Sequence, residues 1–472
     1  MKKDDLLEVE AFIYGIKIGT LAMLDGKVYF EYDPNFKDNN LEISPIKLNT
    51  KDIKDTYLNS DCFDIYHGMA GVFFDSLPDK HGMPFIYRYF ESKGFKKSEV
   101  SLLHKLTFIA DRGMGAIEYK PKEHQDPVVK IGLVESVKSL RDDMNKIFEN
   151  NALEYSIDML MNIIDSASPI GGARPKMLIL FNSQTRQIKY NNKSLEQGFK
   201  RAIIKFDEVY PDENLINKSL EFTKLEYLFM DIAKDCGIEI PNILLFEEQN
   251  QHHLILERYD RDRNDNKIHI CSASGLMHKD ISVAKVMSYE ELFAFTNKIC
   301  AKQSEINQLY KRMIFNVLCL NFDDHAKNFE FMMDRRGEWS LAPAYDVTYS
   351  KGAVKEHLTT INGKGKDFVI DDFLKIASEN LIDKSKALTI ISAIASELST
   401  FKERAEKLDI STKSVNECWD DIQEQLNLVK FDIPPHLCGV SIATKNIRDM
   451  SDKEREDAVR ALADGDPGLK LG

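Results

Sequence analysis

Residues 316–347 read NVLCLNFDDHAKNFEFMMDRRGEWSLAPAYDV, and this stretch decides the fold. Asp323 precedes Asn328 by five residues, with Asp324, His325 and Lys327 between them. Phe329–Met333 predicts a strand, Asp334–Gly337 a turn and Trp339–Leu341 a second strand, together a hairpin. Asp346 follows at once, in Ala-Tyr-Asp-Val. Transfer of a γ-phosphoryl group uses one carboxylate to orient the attacking hydroxyl. It also uses an amide oxygen and a second carboxylate to hold Mg²⁺ against the nucleotide phosphates. Protein kinases place the base and the amide five residues apart on one loop, and the second carboxylate beyond a hairpin. An Asp and an Asn at this spacing also occur in plain polar loops, so the upstream sequence has to carry the rest.

Upstream, Ser166-Ala-Ser-Pro-Ile-Gly-Gly-Ala-Arg-Pro-Lys176 leads into a predicted strand, Met177–Phe181, and a second at Gln187–Tyr190. A glycine-rich loop between strands can lay backbone N–H groups over phosphate oxygens, although two adjacent glycines are more often a simple turn. Ala202–Phe206 reads as a buried strand carrying Lys205, a cation that calls for a phosphate, a carboxylate or a path to solvent. Thr223–Asp235 has a helical stripe of Leu225, Leu228, Phe229, Ile232 and Ala233, stopped by Gly237 and Pro241. Glu226 stands in its first turns, where it can pair with a strand lysine or complement the helix dipole. Asn242–Phe246 and His253–Leu256 predict a hairpin that runs into Glu257-Arg-Tyr-Asp-Arg261, the place of a hinge between lobes.

The remaining segments fit around these. Val9–Ile13, Gly19–Met23 and Lys27–Tyr32 predict strands, with Asp25-Gly26 as a hairpin turn, and residues 82–93 an amphipathic helix. The glycines of Asp111-Arg-Gly-Met-Gly-Ala116 read as turns before a strand at Ile117–Tyr119. Residues 122–165 read as a polar, helix-rich linker. The chain turns helical from about residue 262. Ser288-Tyr-Glu-Glu291 is a capping box for a helix through Ala301, and Glu305–Leu320 is a second long helix. Residues 371–380, 384–407 and 412–428 predict three more. The expected fold is α+β and two-lobed: a β-rich module at 1–121, a kinase-like lobe at 122–260 with loop, lysine and hinge, and a helical lobe at 261–472 with the catalytic loop.

Bulk properties agree. The chain has 472 residues, 43% hydrophobic and 29% charged, with a net charge of −13. That balance argues against a broad nucleic-acid footprint. The seven scattered cysteines form no Cys-x-x-Cys pair and predict reduced thiols in a cytoplasmic protein, not disulfides or a zinc site. The N-terminal MKKDDLLEVE has no apolar run behind its lysines, and no stretch is long and apolar enough to span a bilayer.

Glycine loop, strand lysine, helix glutamate, hinge, base–amide loop, hairpin and second aspartate stand in the order of a two-lobed kinase. The sequence resembles the HipA family of Ser/Thr kinase toxins from bacterial toxin–antitoxin systems. The residues that carry the resemblance are His67-Gly-Met-Ala-Gly-Val-Phe-Phe-Asp-Ser-Leu-Pro-Asp79, Asp111–Ala116, Gly171-Gly-Ala-Arg-Pro-Lys176, Leu256-Glu-Arg-Tyr-Asp-Arg261, Asp323-Asp-His-Ala-Lys-Asn-Phe329 and Ala342-Pro-Ala-Tyr-Asp346, within residues 9 to about 430. The resemblance implies use of ATP and Mg²⁺, with Asp323 as catalytic base and Asn328 and Asp346 as metal ligands. It implies that Lys205 holds ATP phosphates, that Gly171, Gly172 and Ala173 form the phosphate loop, and that Glu257 and Tyr259 give hinge contacts to adenine. Lys327 is expected to neutralise the transferring phosphoryl group, the alternative being a pair with Asp324, itself read as loop-structuring. The resemblance further implies autophosphorylation at Ser168 or Ser166, with Pro169-Ile170 a departure that lengthens the loop. Its implied partners are a HipB-like helix-turn-helix antitoxin, a protein substrate such as an aminoacyl-tRNA synthetase, and DNA only through the antitoxin. Two other readings share these residues: a small-molecule phosphotransferase of the aminoglycoside-kinase type, and an inactive kinase-fold co-repressor.

Overall fold

The computed structural model describes residues 8–78, 82–121, 176–190, 195–206, 221–248, 251–352 and 355–430. The expectations for Gly171, Gly172, Ala173, Ser166, Ser168 and the whole of the 122–165 linker lie outside the described residues.

The N-terminal module is an antiparallel sheet of β1 (Glu8–Ile13), β2 (Ile16–Leu24), β3 (Lys27–Tyr32) and β4 (Ile117–Pro121), in the order β3-β2-β1-β4. Strict alternation along β1 buries Val9, Ala11 and Ile13 and leaves the intervening residues half-exposed, as a one-sided sheet requires. The β2–β3 turn has φ > 0 at both Asp25 and Gly26, the backbone of the tight turns that match strand twist. Helices α1 (Phe63–Tyr66), α2 (Gly71–Phe74), α3 (Met83–Ser92) and α4 (Leu102–Ile109) cover it. Of these, sequence periodicity reveals only α3. Two of the others are single turns, and α4 is short with its apolar residues on nearly every side.

A five-stranded antiparallel sheet follows: β5 (Lys176–Asn182), β6 (Gln187–Tyr190), β7 (Lys200–Lys205), β8 (Ile243–Glu248) and β9 (Gln251–Glu257), ordered β6-β5-β7-β9-β8. Every residue of β5 is buried, as its inner position demands. Helix α5 (Phe222–Asp235) packs its Leu225–Leu228–Phe229–Ile232 face behind β8 and β9.

After residue 262 the chain is helical around the expected hairpin, with one further strand beside that hairpin that the sequence did not show. Strand β10 (His269–Ser272) joins the hairpin of β12 (Glu330–Met333) and β13 (Trp339–Leu341), and α6 (Ala273–Met277) follows it. Four residues are too few to show a period, and β10 is a strand because β12 offers it an edge. The two-residue strands β11 (Met287–Ser288) and β14 (Thr359–Thr360) pair in parallel. Helices α7 (Tyr289–Cys300), α8 (Gln303–Leu318), α9 (Ile370–Glu379), α10 (Lys384–Leu398), α11 (Phe401–Lys407) and α12 (Thr412–Lys430) form the rest. The capping box at Ser288 and Glu291 forms in both directions. The single helix expected over 384–407 is broken at Ser399–Thr400, where the side-chain hydroxyls bond back to Ser396 and Glu397 carbonyls.

The glycines of Asp111–Ala116 are more than turns. Gly115 has φ +75 and packs against Ile270 backbone, its N–H donates to Asp260 Oδ2 at 2.7 Å, and the Gly113 carbonyl accepts from Arg258 at 3.3 Å. They dock the N-terminal module on the segment just past β9. A glycine that meets backbone from a distant segment looks, in sequence, like a glycine in a turn.

Candidate active site

Lys205 is the last residue of β7, and Ile203, Ile204 and Phe206 around it are all buried. The lysine is itself 6% exposed and cannot reach bulk water, so it needs carboxylates. It has two. Its Nζ lies 2.5 Å from Glu226 Oε1 and also donates to Asp346 Oδ1. Burial alone would lower the Lys205 pKa, but Asp346 and Glu226 outweigh it and hold the ammonium charged. Glu226 reaches this point because α5 turns its buried face toward the sheet, which places the glutamate among Leu225, Leu228 and Phe229. Of the two readings of Glu226, the ion pair with the strand lysine is the one formed.

Asp346 sits with φ +51, a left-handed backbone that Asp tolerates better than most residues. The loop carrying it is held from three sides. Arg312 of α8 donates to the Ala342 carbonyl at 2.6 Å, Asn321 Nδ2 approaches the Asp346 carbonyl at 3.4 Å, and the Tyr345 hydroxyl donates to the Lys327 carbonyl at 2.6 Å. The last of these fastens the second-aspartate loop to the base–amide loop. A small cavity is lined by Asn321, Asp324, Asn328, Tyr345 and Val347, so both loops face one space.

In the base–amide loop, Asn328 Nδ2 donates to the Asp323 carbonyl at 2.7 Å, which orients its Oδ1 away from that carbonyl. The Asp323 side chain is 53% exposed, with His325 Nε2 at 3.7 Å. An exposed carboxylate beside an oriented amide suits a base that must meet an incoming hydroxyl. Asp324 is buried and takes its donors from residues 289 and 357–359. The alternative pair of Lys327 with Asp324 is therefore not made; Lys327 has no ion-pair partner among the described residues and is half-exposed.

Among the described residues no group of three His, Cys, Asp or Glu could hold a metal. A magnesium site of the expected kind takes only one or two carboxylates from the protein and fills its remaining positions with water and phosphate oxygens. Asn328 and Asp346 supply oxygen donors that fit such an ion.

The side chains expected to contact adenine, Glu257 and Tyr259, have protein partners. Glu257 pairs with Lys200 at 2.7 Å and accepts from Asn242 at 2.9 Å. The Tyr259 hydroxyl donates to Glu330 at 2.5 Å, and its ring stacks on Tyr345 with centroids 6.1 Å apart. Burial raises the Glu330 carboxyl to about 8. Beside this lies a buried network in which Asp260 accepts from Arg258 at 2.8 and 2.6 Å and from Arg261 at 2.6 Å. Burial would raise the Asp260 carboxyl, but the two guanidinium groups hold it below the usual carboxylate range. Sequence reasoning gave no part to Asn321, Tyr345, Glu330 or Arg312. The two available signals were an asparagine two residues before the candidate base and a tyrosine directly before the candidate ligand.

Family models match in two places: the HipA N-terminal domain at residues 9–120, and the HipA-like C-terminal domain at 168–408, just over half of the chain. A Haemophilus influenzae protein named as a candidate kinase is 28% identical over 137 residues, which are 26% of this chain and 39% of that protein. The candidate kinase Y4mE of Sinorhizobium fredii is 23% identical over 229 residues, 45% of this chain and 54% of its own length. The chain thus spans from about two fifths to about half of these curated relatives. A chain from the Shewanella oneidensis MR-1 toxin–antitoxin HipA, HipB and operator DNA complex aligns with a TM-score of 0.62 at 15% identity, over 90% of this chain and 97% of that one. The likeness shows the fold, α+β and kinase-like. Among the described residues no helix is long and apolar enough to cross a membrane.

Proposed function

The chain belongs to the HipA family, and on that premise we propose that it is a serine/threonine protein kinase. The observation that carries the reading is the Lys205 bridge between Glu226 and Asp346. It unites a strand, a helix and a loop from distant parts of the chain around one cation, the arrangement that kinase catalysis uses. Lys205 binds ATP phosphates between the lobes, aided by the backbone of Gly171, Gly172 and Ala173. Asp323 orients the acceptor hydroxyl and takes its proton. Asn328 and Asp346 would hold Mg²⁺, which when bound would supply neutralising charge to the nucleotide phosphates. Lys327 steadies the transferring phosphoryl group. Backbone at Glu257–Tyr259 faces adenine, since both side chains are engaged elsewhere.

The acceptor is a protein serine or threonine, in keeping with the family; a translation component such as an aminoacyl-tRNA synthetase is the substrate class proposed. Autophosphorylation at Ser168 or Ser166 limits the enzyme, because a phosphate beside Asp165 brings like-charge repulsion into the glycine loop. A HipB-like antitoxin neutralises it and mediates any contact with DNA, as the complex that contains the similar chain suggests. The test is intact-mass and peptide mapping of wild type and Asp323→Asn incubated with Mg²⁺ and ATP. A phosphate on serine in the wild type alone supports the reading. Transfer to small aminoalcohols and not to protein favours the small-molecule phosphotransferase, and growth arrest or repression unchanged in Asp323→Asn favours the inactive co-repressor.

A further inference from the structure

Asp324 neighbours the candidate base but serves a different part of the molecule. Its side chain has no exposed surface. Its Oδ1 accepts the backbone N–H of Leu358 at 2.8 Å and of Thr359 at 3.1 Å. Its Oδ2 accepts the Tyr289 hydroxyl at 3.2 Å and lies 3.0 Å from His357 Nδ1. Its own carbonyl accepts the Thr359 hydroxyl. A carboxylate this deeply buried is tolerated only when its lone pairs are used, and here they gather donors from three consecutive residues, 357–359.

Those residues follow the Asp346 loop and lie against Asp324 and Phe322, the two neighbours of Asp323 in the chain. Thr359 and Thr360 pair with Met287 and Ser288. The His357 and Phe322 rings meet edge-on at 4.9 Å. Phe322 N–H donates to the Ser350 carbonyl at 3.3 Å, and Ser350 N–H donates to the Leu320 carbonyl at 3.1 Å. Phe322 and Asp324, on either side of Asp323, are thereby sewn to Ser350 and to residues 357–359.

We propose that Asp324 is a positioning residue that clamps residues 357–359 beside Asp323, so that the acceptor-side wall of the site is set by a carboxylate of the chain itself. Kinases that order this wall on demand do so with an added phosphate, which collects donors through its oxygens. A buried carboxylate that already collects two backbone N–H groups, a hydroxyl and an imidazole makes that phosphate unnecessary. The inference rests on the kinase reading above and adds its regulation: the wall is permanently in place, and control falls elsewhere.

The experiment compares wild type, Asp324→Ala, Asp324→Asn and Thr359→Val, with a degenerate serine/threonine peptide library as acceptor and phosphatase-treated protein as the starting material. Asp324→Ala is expected to raise KM for the library about tenfold or more and to leave KM for ATP within about twofold. Asp324→Asn recovers most of the loss, because its amide oxygen still accepts from Leu358 and Thr359. Thr359→Val, which keeps the carboxylate, falls between and guards against an Asp324→Ala protein that does not fold. Both KM values rising together, no rescue by Asn, or a wild type that gains library affinity only when residues 347–361 carry phosphate, would each overturn the proposal. A wild type that transfers phosphate to no acceptor sinks the kinase reading instead. The clamp is then judged by hydrogen exchange, and Leu358 and Thr359 amides that exchange no faster in Asp324→Asn or Thr359→Val than in wild type would overturn it.

Discussion

Gly71 and Gly275 meet backbone against backbone: a methyl group at Gly71 would fall well inside the van der Waals radius of the Gly275 carbonyl oxygen. Gly71 begins α2 of the N-terminal module and Gly275 lies in α6, whose first residue donates its N–H to the Phe329 carbonyl at 2.7 Å, one residue past Asn328. The module therefore presses on the support of the base–amide loop. Gly71→Ala is expected to cost about 2–3 kcal/mol by forced separation of the two helices. Thermal denaturation checks this, and a Tm within a degree of wild type would contradict the contact.

The same junction is sensitive to acid. His278, 4% exposed, accepts the Gly71 N–H at Nε2 over 3.0 Å. Burial pushes its pKa down to about 4, against the opposing pull of Asp61. Burial likewise pushes His269 down to about 4. Both rings are neutral in the folded chain and take protons readily once unfolded. Stability from this source is complete above pH 6.5 and drains away as pH falls toward 4. At pH 5.5 each contributes a loss of about 1 kcal/mol. Melting temperatures measured at pH 7.5 and 5.5 should drop less in His278→Gln than in wild type; equal drops would refute the assignment.

Lys205 joins stability to chemistry. Lys205→Met leaves Glu226, 3% exposed, without its cation, and an unpaired buried charge costs about 3–5 kcal/mol. Phosphoryl transfer should fall at least about 100-fold. Adding Glu226→Gln removes the orphaned charge and should restore much of the stability with none of the activity. Denaturant midpoints and radiolabel transfer, measured on both variants, separate the two effects. Activity returning in the double variant would count against a phosphate-binding role for the lysine.

Asp260, fully buried between Arg258 and Arg261, ties the segment after β9 to Gly115. Asp260→Asn leaves two guanidinium groups facing each other and is expected to cost about 3–5 kcal/mol. Replacing Arg258 by Met in that background should recover part of it. Chemical denaturation with a double-mutant cycle measures the coupling, and strictly additive losses would show that the network is not one unit.

The strand of Lys205, the helix of Glu226 and the hairpin that precedes Asp346 were readable in the sequence, because each lies on a local pattern: an apolar strand, a 3.6-residue stripe, a turn. So was the α+β character, since periods of two and of 3.6 are written in side-chain polarity. Tertiary structure decided what those residues meet. That Glu226 and Asp346 share one buried ammonium depends on how α5 and the Asp346 loop pack against β7, and Lys205 and Asp346, 141 positions apart, carry no local sign of contact. The same holds for Asp324, whose four side-chain donors come from 33 to 35 residues away, and for Gly71 and Gly115, whose lack of a Cβ reads as a turn until a distant backbone arrives to fill the space. Burial sets the strength of every one of these interactions, and burial belongs to the assembled fold.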